Sequence, residues 1–247
     1  DASSLGFWGI GFHLMAAIAG IIGRPAKSDL NRDLEAMTGC MRHGAHHQSG
    51  TLLREADGLR LGWVTDKDEN SCSFPVWSES GRVGVVLVGE MIAAAHEQDA
   101  AEVFCRWLLA QYERDGAACL ELLNGCFSGV ILDMRAQPKA VLFNDRYGVG
   151  RLCYHQTPDA FYFASEAKAL LRVLPKLRAF EPRSLGEMIS CCAVLQNRTL
   201  FSGINLMPGG SAWTIAADGA ADKRIYFSPH QWENLPSLGE QEYRAKL

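Results

Sequence analysis

Apolar residues occur along the chain in short runs separated by glycine, proline and polar clusters. Ala16–Ile22 is a continuous apolar run followed by Gly23 and Pro25, which is typical of a central strand. Asp99 to Gly116 carries apolar residues at helical spacing and ends at a glycine, which predicts a helix. The other predicted strands are Thr51–Arg54, Leu59–Val64, Val83–Val88, Cys126–Asp133, Lys139–Asp145, Phe161–Ala164, Ser211–Ala216 and Lys223–Phe227. The other predicted helices run from a cap at Ser28 or Asp29 to about Met41 and from a cap at Ser165 to Leu174, and residues 43–50 are predicted as a loop. The pattern is that of a mixed α and β protein.

The pattern contains no internal repeat and no long linker, so one domain is expected over about residues 15–230. Residues 1–14 are interpreted as a leader from an added or mis-started gene end, with Met15 as an internal start. A secretory signal is disfavoured because the chain begins with Asp1 and has no Lys or Arg before Arg24. Residues 231–247 are interpreted as a connection toward a further domain, because Ser237 to Leu247 begins like a helix.

Composition and charge narrow the class of protein. Of the 247 residues, 48% are hydrophobic and 21% are charged, which is ordinary for a globular protein and excludes disordered, collagen-like and coiled-coil chains. The net charge is −4 and no basic stripe is present, so neither a nucleic acid nor a membrane is expected as a partner. The eight cysteines form no C-x-x-C pair and are interpreted as buried thiols of a cytoplasmic protein. The adjacent Cys191 and Cys192 are interpreted as two thiols near a helix end rather than as a redox site.

The common catalytic motifs are absent: the chain has no P-loop, no G-x-S-x-G elbow and no H-E-x-x-H helix. Pro208-Gly209-Gly210-Ser211 is similar to the S-G-G-x-D-S pyrophosphate loop of some ligases, but it lacks the aspartate and is predicted to be a turn before a strand. Sulfur and imidazole ligands that would suit zinc are clustered in one segment. They are Cys40, His43, His46 and His47. Because no second C-x-x-C or H-x₃-H arm lies nearby, a polar loop without metal is predicted, with zinc at these four residues as the alternative.

Four segments in a fixed order carry a resemblance to a known family. They are Leu123–Phe127, Asn144–Tyr154, Phe163–Leu170 and Phe201–Ile204, the last followed by Pro208-Gly209. These segments resemble the L-N-G-x-F-A, R-D-x-x-G-x-x-P-L-Y-Y, F-A-S-E-x-K-A-L and I-F-x-G-I…P-G segments of the asparagine synthetase family, in its N-terminal class II glutamine amidotransferase domain. The resemblance runs from Met15 to about Tyr226 and implies an α+β fold. That fold is the four-layer αββα sandwich of the N-terminal-nucleophile hydrolases, with mostly antiparallel sheets.

The resemblance also implies where a glutaminase site would lie. In the family, an N-terminal cysteine attacks the glutamine amide, while an asparagine side chain and a glycine N–H bind the oxyanion. The family's M-C-G-I-A-G-I start corresponds to Met15–Ile21, which places Ala16 at the position of the nucleophile. The H-R-G-P-D motif places Gly44 at the arginine that binds the glutamine carboxylate, and the N-G-E motif places Val88 at the oxyanion asparagine. The aspartate that binds the glutamine ammonium falls at Asp99 or Ala100. The vestigial pocket therefore comprises Ala16, Ala17, Gly44, Val88, Gly89, Glu90 and Asp99.

These replacements predict a glutaminase-like domain without catalytic residues. The pattern is similar to that of β-lactam synthetases and lasso-peptide cyclases, family members whose N-terminal domain lacks the cysteine. The implied role is to scaffold an ATP-dependent synthetase domain that follows in the same protein and forms an amide bond. This chain would need no cofactor, whereas ATP and Mg²⁺ are expected in that further domain; a homodimer is another candidate assembly. The charged Asp145, Arg146 and Glu166 of the retained segments are interpreted as salt-bridge and capping groups.

Two alternatives remain open from the sequence. One is a glutamine-hydrolysing, ammonia-donating domain that uses another nucleophile, such as Cys40 or Cys72. The other is a ligand- or peptide-binding module that reuses the vestigial pocket, since Gly44 and Val88 would leave a more apolar cleft.

Overall fold

The computed structural model describes residues 17–24, 29–66, 74–92, 100–233 and 236–246. The strands of these residues are β1 (Ala17–Gly23), β2 (His47–Arg54), β3 (Leu59–Asp66), β4 (Val76–Trp77), β5 (Val83–Met91), β6 (Gly125–Asp133), β7 (Lys139–Asn144), β8 (Cys153–Gln156), β9 (Ala160–Ala164), β10 (Asn205–Leu206), β11 (Ser211–Ala216) and β12 (Ala221–Ile225). The helices are α1 (Leu30–Met41), α2 (Ala100–Asp115), α3 (Ala167–Val173), α4 (Pro182–Cys191), α5 (His230–Glu233) and α6 (Glu240–Lys246).

The strands form two six-stranded sheets whose neighbouring strands run antiparallel. The first sheet has the order β10-β8-β9-β1-β3-β2 and the second has the order β12-β11-β7-β6-β5-β4. Apolar side chains form one cluster between the two sheets and one on the outer face of each sheet. Helices α1 and α3 contribute to the outer cluster of the first sheet, and α2 contributes to that of the second. The layers are therefore helix, sheet, sheet and helix, which confirms the predicted αββα sandwich.

Strand β1 shows why the central strands read as continuous apolar runs. Because successive side chains of a strand point to opposite faces, Ala17, Ala19 and Ile21 reach the helix-covered outer cluster, while Ile18 and Ile22 reach the cluster between the sheets. Both faces are covered, so neither needs a polar residue.

Strand β5 follows the same rule in the second sheet. Its side chains alternate between the cluster beneath α2, which includes Val85 and Leu87, and the interior cluster, which includes Val86 and Val88. The strand extends beyond the predicted end at Val88 because its pairing with β6 continues to Met91.

Several predicted boundaries and one predicted cap differ from the structure. Strand β2 begins at His47, inside the predicted loop 43–50, because its pairing with β3 continues to that residue. The cap of α1 is Asp29, one of the two predicted residues, and its side chain accepts a hydrogen bond from the Arg32 N–H. Ser165 does not cap α3: the N-cap is Glu166, which makes no side-chain capping bond. Strands β8 and β10 and helix α4 were not anticipated by the hydrophobic pattern.

The cysteines are less buried than predicted. Of the described residues, Cys105, Cys119 and Cys153 are buried, whereas Cys126, Cys191 and Cys192 are exposed, and all of them are free thiols. The expectation of uniformly buried thiols is therefore wrong. Cys191 ends α4 and Cys192 is its C-cap, so the pair does lie at a helix end, as predicted.

Within the described ranges, no helix is both long enough and apolar enough to cross a membrane.

Candidate functional site

The start of β1 is the region that would carry the nucleophile. Ala16 lies outside the described residues, and Ala17 is the first residue of β1, with 7% of its surface exposed. The Ile18 N–H donates to Ser165 Oγ at 2.9 Å, and the Ser165 N–H donates to the Ile18 carbonyl at 2.8 Å. The serine of the F-A-S-E segment therefore fixes the beginning of β1. Neither alanine side chain offers an atom that could attack a carbonyl.

Gly44 lies in the turn between α1 and β2. This turn is attached to the residue after Ser165, because His43 Nε2 lies 2.8 Å from Glu166 Oε1. A Cβ atom at Gly44 would lie 2.5 Å from the His46 imidazole. The His46 ring thus occupies the space where the carboxylate-binding arginine side chain would begin.

Val88, Gly89 and Glu90 form the end of β5. Val88 is 6% exposed and belongs to the interior cluster that also contains Ile18 and Phe163. Its side chain lies in the apolar cluster between the sheets, and it offers no hydrogen-bond donor to an oxyanion. Glu90 is exposed and pairs across strands with Cys126. Asp99, the remaining predicted position, lies outside the described residues.

The thiols near these positions lack the surroundings of an activated nucleophile. The Cys40 Sγ–H donates to the Met37 carbonyl at 3.1 Å, and burial raises the pKa of this thiol although the charge of Lys168 opposes the shift. Burial and the nearby carboxylates of Asp145 and Glu90 also raise the pKa of Cys126. Since the thiolate is the reactive form, neither cysteine is poised to attack an amide. Cys72, the other candidate nucleophile, lies outside the described residues.

Asp145 organises the loop of the R-D-x-x-G segment. Its buried carboxylate accepts hydrogen bonds from the backbone N–H groups of Tyr147, Val149 and Gly150 at 2.9, 3.2 and 2.6 Å. Arg146 donates to the Glu121 carbonyl at 3.1 Å. The contacts of Asp145 agree with the predicted capping role, but among the described residues neither Asp145 nor Arg146 forms the predicted salt bridge. Glu166 does form one, with Lys168 at 2.9 Å, but it makes no capping bond.

The turn at Pro208–Ser211 is packed against the same loop. The Gly210 N–H donates to the Asp145 carbonyl at 2.8 Å, and a Cβ atom at Gly209 would lie 2.6 Å from the carbonyl carbon of Tyr147. The backbone of this turn faces protein and leads directly into β11. It does not form a cradle for pyrophosphate at Gly209, in agreement with the prediction of a turn before a strand.

The histidine segment brings together a different set of residues from the four that were named as the zinc alternative. His46 and His47 converge with Asp66, and one ligand atom of each lies within 4.8 Å of those of the other two. Cys40 and His43 are not part of this group. Asp66 was missed because it is 19 positions from His47, yet the two residues are direct cross-strand partners of the β2–β3 hairpin. The hairpin register was the signal that could have found it.

The chain matches a known protein family. Residues 15–227 match the family described as "Glutamine amidotransferase domain". A Schizosaccharomyces pombe protein named "Probable asparagine synthetase [glutamine-hydrolyzing]" is 40% identical over 153 residues, covering 58% of this chain and 27% of the yeast protein.

Solved structures agree in fold. A glutamine phosphoribosylpyrophosphate amidotransferase from B. subtilis, in complex with ADP and GMP, superposes with a TM-score of 0.54 at 12% identity. A structure described as the allosteric regulatory enzyme of purine biosynthesis superposes with a TM-score of 0.52, also at 12% identity. Each match covers 85% of this chain and 49% of the other. At this identity the likeness shows the fold alone.

The chain spans about a quarter of the length of its yeast relative. The family match, by contrast, covers nearly all of this chain and includes every segment on which the resemblance depends. The chain therefore belongs to the glutamine amidotransferase domain family.

Proposed function

We propose that this chain is a catalytically silent glutamine amidotransferase domain that scaffolds an ATP-dependent, amide-forming synthetase domain. In this proposal the two domains belong to one longer protein, whose acceptor amine does not come from glutamine. ATP and Mg²⁺ bind in the synthetase domain and not in this chain.

The observation that carries the proposal is the packing of Val88. An oxyanion hole needs a polar donor aimed at the developing charge, and loss of one such donor costs about 10²–10³ in rate. Here the side chain at that position lies in the apolar cluster between the sheets. Ala16 removes the covalent route independently, because no nucleophile remains at the family position.

A scaffolding role is supported by apolar side chains exposed around the R-D-x-x-G loop. Tyr147, Val149 and Trp232 are 60%, 59% and 50% exposed, and the Tyr147 and Trp232 rings lie 6.2 Å apart. Exposed aromatic and aliphatic groups that lie together are typical of a surface that a partner covers. We assign the synthetase domain to this surface.

The free, exposed thiols of Cys126, Cys191 and Cys192 support a reducing, cytoplasmic environment for the protein.

The proposal is tested by measuring whether the longer protein needs glutamine or ammonium for its reaction. With ATP, Mg²⁺ and a set of candidate substrates that carry both a carboxylate and an amine, pyrophosphate release is expected to be the same with glutamine, with ammonium or with neither. Glutamate should not accumulate, because this chain cannot hydrolyse the glutamine amide. Glutamine-dependent glutamate release, coupled to amide formation, would show that the domain is a working ammonia donor.

A further inference from the structure

His47 lies at a point where two buried polar atoms meet without a hydrogen bond. Its side chain is fully buried, and its Nε2 atom lies 3.3 Å from Oδ1 of Asp66. Both atoms are buried and neither has a hydrogen-bond partner. A buried polar atom without a partner costs about 1–3 kcal/mol, and a third group bound by both atoms would remove that cost.

A second imidazole completes the arrangement. His46 Nε2 lies 3.8 Å from the same Asp66 oxygen, and the His46 and His47 ring centroids are 4.2 Å apart. Ligand atoms around a tetrahedral zinc ion with bonds of about 2.0–2.1 Å are separated by roughly 3.4 Å. The distances of 3.3 and 3.8 Å are close to this separation. His46 is 66% exposed, so its ring is free to turn inward and offers an entry path from solvent.

We propose that His46, His47 and Asp66 form a binding site for a divalent transition-metal ion, with Zn²⁺ as the expected occupant. Two imidazoles and one carboxylate are a donor set that suits zinc, and they leave a fourth position for water. Asp66 balances part of the charge of the ion in a partly buried place. The ion would join the turn that contains Gly44 to the end of β3. This proposal does not depend on the glutaminase being silent.

Metal binding through Nε2 must change which ring nitrogen of His47 carries the proton. The His43 N–H donates to His47 Nδ1 at 2.9 Å, so in the metal-free protein the ring proton is on Nε2. Metal-bound histidines instead carry the proton on the second ring nitrogen and donate it to an acceptor. Binding through Nε2 therefore requires the His43 amide to turn away from Nδ1. This rearrangement gives the site a signature that a metal-free histidine–aspartate contact would lack.

The test uses the whole untagged chain with Cys126, Cys191 and Cys192 replaced by serine, because exposed thiols also bind zinc. After treatment with a chelator, the protein is titrated with Zn²⁺ in competition with a chromogenic chelator. One ion per chain is expected. Co²⁺ in place of Zn²⁺ should give the visible bands of tetrahedral coordination, and in ¹⁵N spectra Zn²⁺ should shift the His47 ring nitrogens and the His43 amide.

Matched variants test whether Zn²⁺ is bound by these three residues and not by their neighbours in the segment. His46→Ala and Asp66→Asn are each expected to weaken Zn²⁺ binding by on the order of 100-fold. Cys40→Ser alters a neighbouring candidate outside the set and should bind Zn²⁺ as tightly as the parent. Thermal melting of the metal-free variants verifies that they are folded. The proposal fails if the parent binds no stoichiometric Zn²⁺, or if folded His46→Ala and Asp66→Asn proteins bind it as tightly as the parent.

Discussion

Replacement of Gly89 by alanine is expected to lower the free energy of unfolding by about 3 kcal/mol or more. Gly89 has a φ angle of +115°, which side-chain-bearing residues rarely adopt. A Cβ atom there would lie 2.2 Å from the Cys126 carbonyl oxygen and 2.7 Å from Cα of Phe127. Both atoms belong to the backbone of the paired strand β6, so neither can move without disturbing the sheet.

The measurement is denaturant unfolding of the variant beside Gly81→Ala. Gly81 has a φ angle of +65°, and a Cβ atom there would meet no other atom within 4 Å, so its replacement reports the backbone penalty alone, about 1 kcal/mol. If Gly89→Ala were no more destabilising than Gly81→Ala, the proposed steric conflict would be wrong. The result also bears on function. A glycine that the sheet itself requires is retained whether or not its N–H still binds an oxyanion.

Asp145→Ala is expected to destabilise the protein by about 3–5 kcal/mol, because three backbone N–H groups lose one shared, buried acceptor. The Tyr147, Val149 and Gly150 amides would have to find water or rearrange. The loop also supports the turn at Gly210, whose N–H donates to the Asp145 carbonyl. The loss should therefore loosen both segments, which hydrogen exchange of their amides would report.

Asp218→Ala is the matched control for this substitution. The Asp218 side chain accepts a hydrogen bond from the Ala220 N–H at 2.9 Å, but in an exposed turn where water can replace it. Its loss is expected to cost no more than about 1 kcal/mol. Equal destabilisation by the two variants in the same chemical denaturation series would contradict the structural role given to Asp145.

The sequence predicts the central strands well because their physical cause is local. The bounds of β11 match the prediction. Strand β1 contains the predicted residues 17–22 and continues to Gly23, and it was found because a strand covered on both faces appears as an apolar run. Helix α4 was missed although its sequence carries a helical signal, since Pro182 begins it. Leu185, Met188 and Ile189 follow at helical spacing, but their side chains are exposed and Gly186 lies between them. Strand β8, at four residues, is too short to show a period.

In the candidate site, too, the sequence predicts what depends on local motifs and misses what depends on long-range packing. The order of segments in the chain leads to Ala16, Gly44 and Val88 as family positions, because a motif is a local pattern. The consequences of those replacements are set by packing at long range. Val88 meets residues of the opposite sheet in the interior cluster, and Asp66 meets His47 through the register of a hairpin. The function of Ser165 was misjudged for this reason also: it bonds to Ile18, 147 positions earlier, and not to its own helix.

We propose that this domain has kept its fold and lost its glutaminase chemistry. The most direct measurement incubates the purified chain with glutamine and, separately, with a diazo-ketone analogue of glutamine that alkylates an active cysteine, beside an active glutamine amidotransferase. Glutamate is followed enzymatically and the intact protein by mass spectrometry. We expect glutamate at the level of the protein-free control and an unchanged protein mass. Glutamate release with turnover, together with one analogue bound to a single cysteine, would contradict the account.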